Sequence, residues 1–432
     1  MTDIYEIAEY TLKALKDCGA DAAQCIVGRS KKDELNVDGG KFSLMRSTFN
    51  TSISMKAIKD GKKGVTSINQ ATKEAIDKAA AQCIAAAESS VPDEAEQIAP
   101  FTAKTEYKTG VFEPDLDKLF DRIEEFMSQT KKEYPKIILE QLISDYEHSE
   151  KLYMNTNGTS LRYEHGEYSF NTMFSAHEGE KASSFNGYFC ALDNLDKPFM
   201  DAGMQRQLLE ESEKQLDTVS PSEKFVGKVI YSPDCFNELL QTALENFASS
   251  GVLIDGTSPW KDALNTKIAS EKLNLRSVPL DDKTVVGQRF TSDGYPAENM
   301  DIIVDGVIKT FILSQYGANK TGFPRALNGG NNLEVLPGDK TLEEMISGID
   351  RGLIVNRFSG GQPSSNGDFS GVAKNSFLIE KGKVSSAVSE TMISGNIIDM
   401  LNNIVAISKE QTTDGLSFMP WAEFDGVTVS GK

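Results

Sequence analysis

Asn237, Glu238, Gln241, Thr242 and Glu245 share the polar side of a segment whose other side is built for burial. Phe236, Leu239, Leu240, Ala243, Leu244 and Phe247 recur at i, i+3, i+4, i+7, i+8 and i+11, which predicts a helix packed along one face. Ser232 suits its N-cap and Pro233 its first helical position. Such a helix offers a cleft amides, a hydroxyl and carboxylates. Glu238 is the group that could take part in proton transfer, and the plain alternative is a solvated carboxylate on a polar face. The helix has no histidine. His148, His165 and His177 all lie in the first half of the chain, none pairs at i, i+4, and surface positions are expected for all three.

Other chemistries are less well supplied. A serine nucleophile needs a tight turn and a histidine base; no G-x-S-x-G occurs, and Ser370 between Phe369 and Gly371 reads as a strand-end serine. The run Ser359-Gly360-Gly361-Gln362-Pro363-Ser364-Ser365-Asn366-Gly367 has the glycines of a phosphate loop but no following Gly-Lys-Ser/Thr, so it reads as a turn-rich loop lining a cleft. Cys18, Cys25, Cys83, Cys190 and Cys235 are odd in number and lack C-x-x-C, which predicts reduced, mostly buried thiols.

The elements that would position these residues fall into an α+β pattern. A helix over 4–16 ends near Gly19, strands over 50–58 and 65–68 turn at Asp60-Gly61, and a second helix covers 72–87. The region of Pro92-Asp93-Glu94 reads as a linker. A similar order follows: a helix opened by Pro114 and ended by Pro135, strands with a hairpin at Glu178-Gly179, and a helix near 204–216. Phe170-Asn171-Thr172 stands before that hairpin as Phe49-Asn50-Thr51 stands before the first. The expectation is an N-terminal α+β domain, 1–219, made of two helix-strands-helix units at 1–90 and 112–217. Residues 220–432 are expected to form a mostly antiparallel β domain with hairpins at 301–309 and 376–384, the helix at Pro233, one capped by Thr341 and Glu344, and one near 397–404.

Composition sets outer limits. The 432 residues exceed one ordinary core, and 39% hydrophobic with 25% charged residues describes a globular chain. No apolar run approaches the ~18–20 residues that cross a bilayer. The start, Met1-Thr2-Asp3-Ile4-Tyr5-Glu6, lacks the order of a secretory signal, so a cytoplasmic location is expected, with no membrane contact. A net charge of −19 repels nucleic-acid phosphates, and Lys59-Asp60-Gly61-Lys62-Lys63 reads as a hairpin turn rather than a basic patch.

The ordered set Asp293-Gly294-Tyr295-Pro296, Leu336-Pro337-Gly338, Arg351-Gly352-Leu353-Ile354-Val355, Gly360-Gly361, Gly367-Asp368-Phe369-Ser370 and Ile393-Ser394-Gly395-Asn396 resembles that of the TldD/PmbA proteins, also called the modulator-of-gyrase family. The resemblance covers essentially the whole chain, and Gly395-Asn396-Ile397-Ile398-Asp399-Met400-Leu401 is more similar to the PmbA (TldE) branch. It implies a cytoplasmic zinc-dependent protease acting as a TldD–TldE heterodimer on unfolded or peptide substrates drawn into a channel. In the TldD branch a helix carries H-E-x-x-x-H, with two histidine ligands, a glutamate base and a later cysteine ligand. Zinc takes imidazole or thiolate donors and lowers the pKa of its water to ~7.

Laid on this sequence, the motif places Asn237 and Thr242 where the histidines stand and Glu238 where the glutamate stands, and no cysteine follows Cys235. Amide and hydroxyl oxygens are poor zinc donors, so no metal is expected in this chain and zinc is expected in a TldD-type partner. Residues five apart lie ~140° around a helix, so the metal-bearing site needs the helix to bend or end there, while Ala243-Leu244-Glu245 should continue this one. Gly360, Gly361, Gly367 and Asp368 are the positions implied for the channel wall, where glycines would admit an extended peptide. The leading expectation is a TldE-type subunit that contributes dimerisation and channel. The alternatives are a stand-alone homodimeric, chaperone-like peptide binder and a gyrase-associated modulator.

Overall fold

The structure, a computed structural model, describes residues 3–221, 223–389 and 391–431. Asp3 caps helix α1 (Ile4–Asp17), which buries Ile4, Ile7, Ala8, Ala14 and Leu15. Strands β1 (Ala22–Asp38), β2 (Lys41–Lys59) and β3 (Lys62–Ile68) follow as an antiparallel meander. The turn between β2 and β3 holds Asp60 and Gly61 at φ of 50° and 71°, the left-handed pair that a two-residue hairpin requires. Helix α2 (Lys73–Ser89) presses Ile76, Ala79, Ala80, Cys83 and Ile84 onto this meander, and Gly64 leaves no room there for a side chain.

Next come β4 (Thr105–Gly110), α3 (Leu116–Glu133), β5 (Ile137–Asn155) and β6 (Ser160–Glu178). A strand at Asn186–Leu192 pairs with β6 and a helix at Gln205–Lys214 follows. The front sheet runs β3-β2-β1-β5-β6-β4, so the first strands of the two helix-strands-helix groups lie side by side, antiparallel, from Gln24 opposite Asn155 to Asp38 opposite Gln141.

The expected linker is docked instead. Asp93 accepts hydrogen bonds from the Tyr316 hydroxyl and the Lys320 ammonium, each at 3.0 Å, and the Ala95 carbonyl accepts from Asn319 at 2.8 Å. Glu96, nearby and buried, pairs with Lys56 at 2.7 Å and with Lys63. The pattern of small and acidic residues marked a loop correctly but carried no sign of what the loop would bind.

Rearward of Thr218 the strands form one large, mainly antiparallel sheet. At its centre Phe225–Tyr231 pairs with Phe418–Ser430 antiparallel and with Arg351–Val355 parallel. The expected hairpins turn at Asp305-Gly306 and Lys381-Gly382, all four residues at positive φ. Two further helices, Ser250–Ile254 and Gln315–Thr321, were not expected; both are short and carry a glycine, so no periodicity announced them. Among the described residues no helix is long and apolar enough to cross a membrane.

One hydrophobic cluster joins Phe126, Phe170 and Phe199 of the front half to Ile354, Phe377 and Trp421 of the rear. The α3 helix and its neighbours therefore pack between two sheets. Side chains alternate along strands, and the front sheet's other face is polar. There Gly28 lies between Ser52 and Lys151, Ser30 between Asn50 and Ser149, and Lys32 opposite Glu147, which faces Glu167.

Candidate functional site

The helix predicted around Glu238 spans Pro233–Ala248 without interruption. Ser232 caps it, its hydroxyl accepting from the Cys235 amide at 3.4 Å, and the same hydroxyl donates to the Asn356 carbonyl at 3.2 Å. Phe236 meets Phe424 edge-on at 5.8 Å and Phe247 meets Trp260 at 5.0 Å, so the apolar stripe is locked into the rear core. The polar side is thereby held in a fixed orientation against the front half.

Two clefts share Glu238. One, of about 420 Å³, lies where the helix faces the front sheet and is lined by Asp234, Glu238, Asn171, Met173, Asn356 and Arg357 among others. The second, of about 250 Å³, is lined by Glu238, Thr242, Tyr231, Phe358, Gly360 and Gly361 among others. Burial raises the pKa of Glu238, and the Arg357 guanidinium works against the rise. Asp234, one turn earlier, keeps contact with solvent, yet desolvation in the recess, with the charges of Asp414 and Glu238 adding, pushes its carboxyl up to about 6. Behind Asn356, whose amide donates to Glu211 at 2.7 Å, burial pushes the Glu211 carboxyl up to about 7.

Asn237 does not join this group. Its amide donates to the Ser417 hydroxyl at 3.2 Å, and that hydroxyl in turn donates to Asp414 at 3.1 Å. The position is a structural tie to the Asp414-Gly415 turn, which also receives the Leu416 and Ser417 amides on the Asp414 carboxylate. Thr242 faces the smaller cleft, and its carbonyl accepts from Asn246 at 2.9 Å. Among the described residues no three side chains of His, Cys, Asp or Glu come together in a way that could hold a metal ion.

Gly360 and Gly361 meet Glu238 and Thr242 in one cleft, whereas Gly367 and Asp368 lie outside its lining. A side chain at Gly360 would collide with the Phe358 ring, so its glycine serves the wall's own packing, while Gly361 faces open space. Gly367 turns at φ +94° against Phe247, and Asp368 accepts from Asn366 and Asn396 at 2.8 and 2.9 Å, which holds its carboxyl below the usual range.

The histidines correct one expectation. His148, half-exposed, meets Glu164 at 3.0 Å, and His177 is exposed with Ser175 at 2.9 Å, but His165 is buried beside Thr109 and Glu167. It sits on a central strand against β4, and desolvation lowers its pKa. All five thiols are unpaired, four of them buried.

Residues missed by sequence reasoning are Asp234, Asn356, Arg357 and Glu211. Asp234 stands at i−4 from Glu238 and was open to view as part of the same helix face. The others come from distant strands and a helix of the front half, which no local spacing brings together.

Sequence profiles of two domains match the chain: the PmbA/TldA metallopeptidase C-terminal domain over residues 224–431 and the PmbA/TldA metallopeptidase domain 1 over residues 23–87. A Methanocaldococcus jannaschii protein named Metalloprotease MJ0996 is 27% identical over 206 residues, 44% of each chain. Metalloprotease PmbA of Escherichia coli O157:H7 is 31% identical over 155 residues, 35% of this chain and 34% of that one. The matched stretches thus span less than half the length of these relatives. The crystal structure of TldE from Thermococcus kodakarensis has the same fold, with a TM-score of 0.81 at 22% identity over 98% of this chain and 100% of that one.

Proposed function

The chain belongs to the PmbA/TldD metallopeptidase family, and on that premise we propose that it is a TldE-type subunit of a two-chain cytoplasmic protease for unfolded polypeptide, itself without zinc. The observation that carries the reading is the employment of the two positions where histidines would stand. Asn237 spends its amide on Ser417, Thr242 opens on a different cleft, and the helix between them is unbroken. An amide and a hydroxyl five residues apart on an uninterrupted helix do not fit zinc, which takes imidazole, thiolate or carboxylate donors in a tetrahedron. The metal and the water it acidifies belong to the partner in this reading.

This chain's share is then to bind and orient. The clefts beside Glu238, of about 420 and 250 Å³, have room for a few residues of an extended chain. Exposed Met45, Phe49 and Phe185 give the chain apolar surface for a partner subunit.

The test is degradation of casein by this chain alone and after mixing with an H-E-x-x-x-H paralogue, with and without a chelator. Cleavage only in the mixture, abolished by the chelator, is the expected result. Chelator-sensitive cleavage by the chain alone overturns the reading, and cleavage in neither case moves it to a homodimeric peptide binder.

A further inference from the structure

We propose that the recess at the end of the front sheet remote from Glu238, formed by Lys151, Arg289, Ser30, Ser52, Ser149 and Phe290, binds a carboxylate group of a peptide chain. Its floor is the polar face of the sheet, where Ser52 and Lys151 flank Gly28 and Asn50 and Ser149 flank Ser30. Residues 287–290 of the rear half form its other side, and Phe290 is anchored in a small cluster with Tyr153 and Leu161. The space is about 450 Å³, within the range of ligand sites.

Two cations face it without a carboxylate of their own. The Lys151 ammonium lies 6.0 Å from the Phe290 ring centre and the Arg289 guanidinium 5.9 Å from that of Tyr163, and among the described residues neither forms an ion pair. The acid in the lining, Glu150, is tied to Arg162 at 2.7 and 2.6 Å. Lys151 is exposed at the recess, and the protein beside it lowers the ammonium's pKa by partial desolvation with no opposing charge to offset it. Three serine hydroxyls beside it add donors, so an oxyanion entering here would meet charge-assisted hydrogen bonds on several sides.

The floor favours a peptide as the bearer. From Tyr163 the same face of β6 continues through His165, Glu167, Ser169 and Asn171, and Asn171 already lines the cleft of Asp234 and Glu238. Eight strand residues cover roughly 27 Å. His165 and Glu167 are largely covered between the two ends, so an extended segment would enter the recess from solvent, with its negative end against Lys151 and Arg289. The peptide as ligand rests on the function proposed above. The test requires neither partner nor cleavage, so the two can fail separately.

The experiment is fluorescence anisotropy of the full chain with a labelled alanine-serine octapeptide bearing a free C-terminal carboxylate, compared with its C-terminal amide. The acid should bind about tenfold tighter, the scale of a charge-assisted pair, and the advantage should shrink in high salt. Lys151→Met with Arg289→Met should abolish the preference, Lys151→Arg should keep it, and near-UV circular dichroism checks that each variant is folded. An amidated peptide ending in glutamate that regains the tenfold extends the site to side-chain carboxylates; no gain confines it to chain ends, and both results uphold the proposal. Equal affinity for acid and amide, a preference that survives the double variant, or tight binding of inorganic phosphate with no acid preference overturns it.

Discussion

The two clefts bordering the polar face of the front sheet are similar in size and opposite in charge. One, about 420 Å³, gathers Asp234 and Glu238 with Asp414 close enough to act on Asp234; the other, about 450 Å³, gathers Lys151 and Arg289. A net charge of −19 describes the first and says nothing of the second. What separates them is how the neighbouring charges are tied. In the acidic cleft desolvation raises the carboxyl pKa values, with like charges adding to the rise at Asp234. In the basic one the nearby carboxylate, Glu150, is paired with Arg162 on the sheet's other face, and the cations have aromatic rings but no carboxylate for partners. Whole-chain charge governs long-range repulsion, whereas a recess of this size is governed by the few pairs within a Debye length.

The largest way to break the comparison is to loosen the helix that makes only the acidic wall. Phe247 is fully buried, packs on Trp260 at 5.0 Å and supports the turn at Gly367. Phe247→Ala should cost about 3–5 kcal/mol, read as a lower urea midpoint. Where the variant remains folded, peptide-acid preference in the basic recess should persist, because that recess is built on β1, β2, β5 and residues 287–290.

A smaller effect tests the charge crowding. The Asp234 carboxyl stands at about 6 when folded, above its ordinary 3.8, so the folded state holds the proton more tightly. Stability from this group therefore rises as pH falls from about 6 toward about 4, and the penalty of the ionised form is complete above that window. Asp234→Asn should stabilise the chain at pH 7 by about 1 kcal/mol, discounted from roughly 3 because the carboxylate keeps contact with water, and should change nothing below pH ~3.5. Urea denaturation at both pH values measures it. The same gain at both values would mean that packing, not charge, sets the effect.

The unequal legibility of the clefts follows from the same contrast. Glu238 and Thr242 could be read as cleft residues because one helix periodicity fixes which side they occupy, and Gly360 and Gly361 because a glycine run announces a loop. The hairpins at Asp60-Gly61, Asp305-Gly306 and Lys381-Gly382 were legible for a local reason too, since the turn demands left-handed backbone. Lys151 and Arg289 are 138 residues apart, on a strand and a loop, and become neighbours only through the packing of the two halves. Asn237 marks the limit within the helix itself: its side was legible, but its bond to Ser417 depends on a turn 180 residues away.

The smallest expected effect bears on why the basic recess is basic. Arg162 holds Glu150 through two nitrogens at 2.7 and 2.6 Å and reaches Glu164 at 3.3 Å. Glu150 precedes Lys151 on β5 and projects from the opposite face of the sheet, so without the guanidinium its charge would act on Lys151 and Arg289 from that face. A unit charge roughly 10 Å away through a water-rich medium is worth about 0.5 kcal/mol. Arg162→Met should therefore weaken binding of the peptide acid about two- to threefold at low salt, leave the amide unchanged, and lose its effect near ~0.5 M salt, where the Debye length is about 4 Å, less than half that distance. Arg162→Lys, which keeps the charge, should fall between the two. An Arg162→Met variant that binds the acid as tightly as the parent would show that the two cations alone set the recess, and that the pairing of Glu150 is incidental to the difference between the clefts.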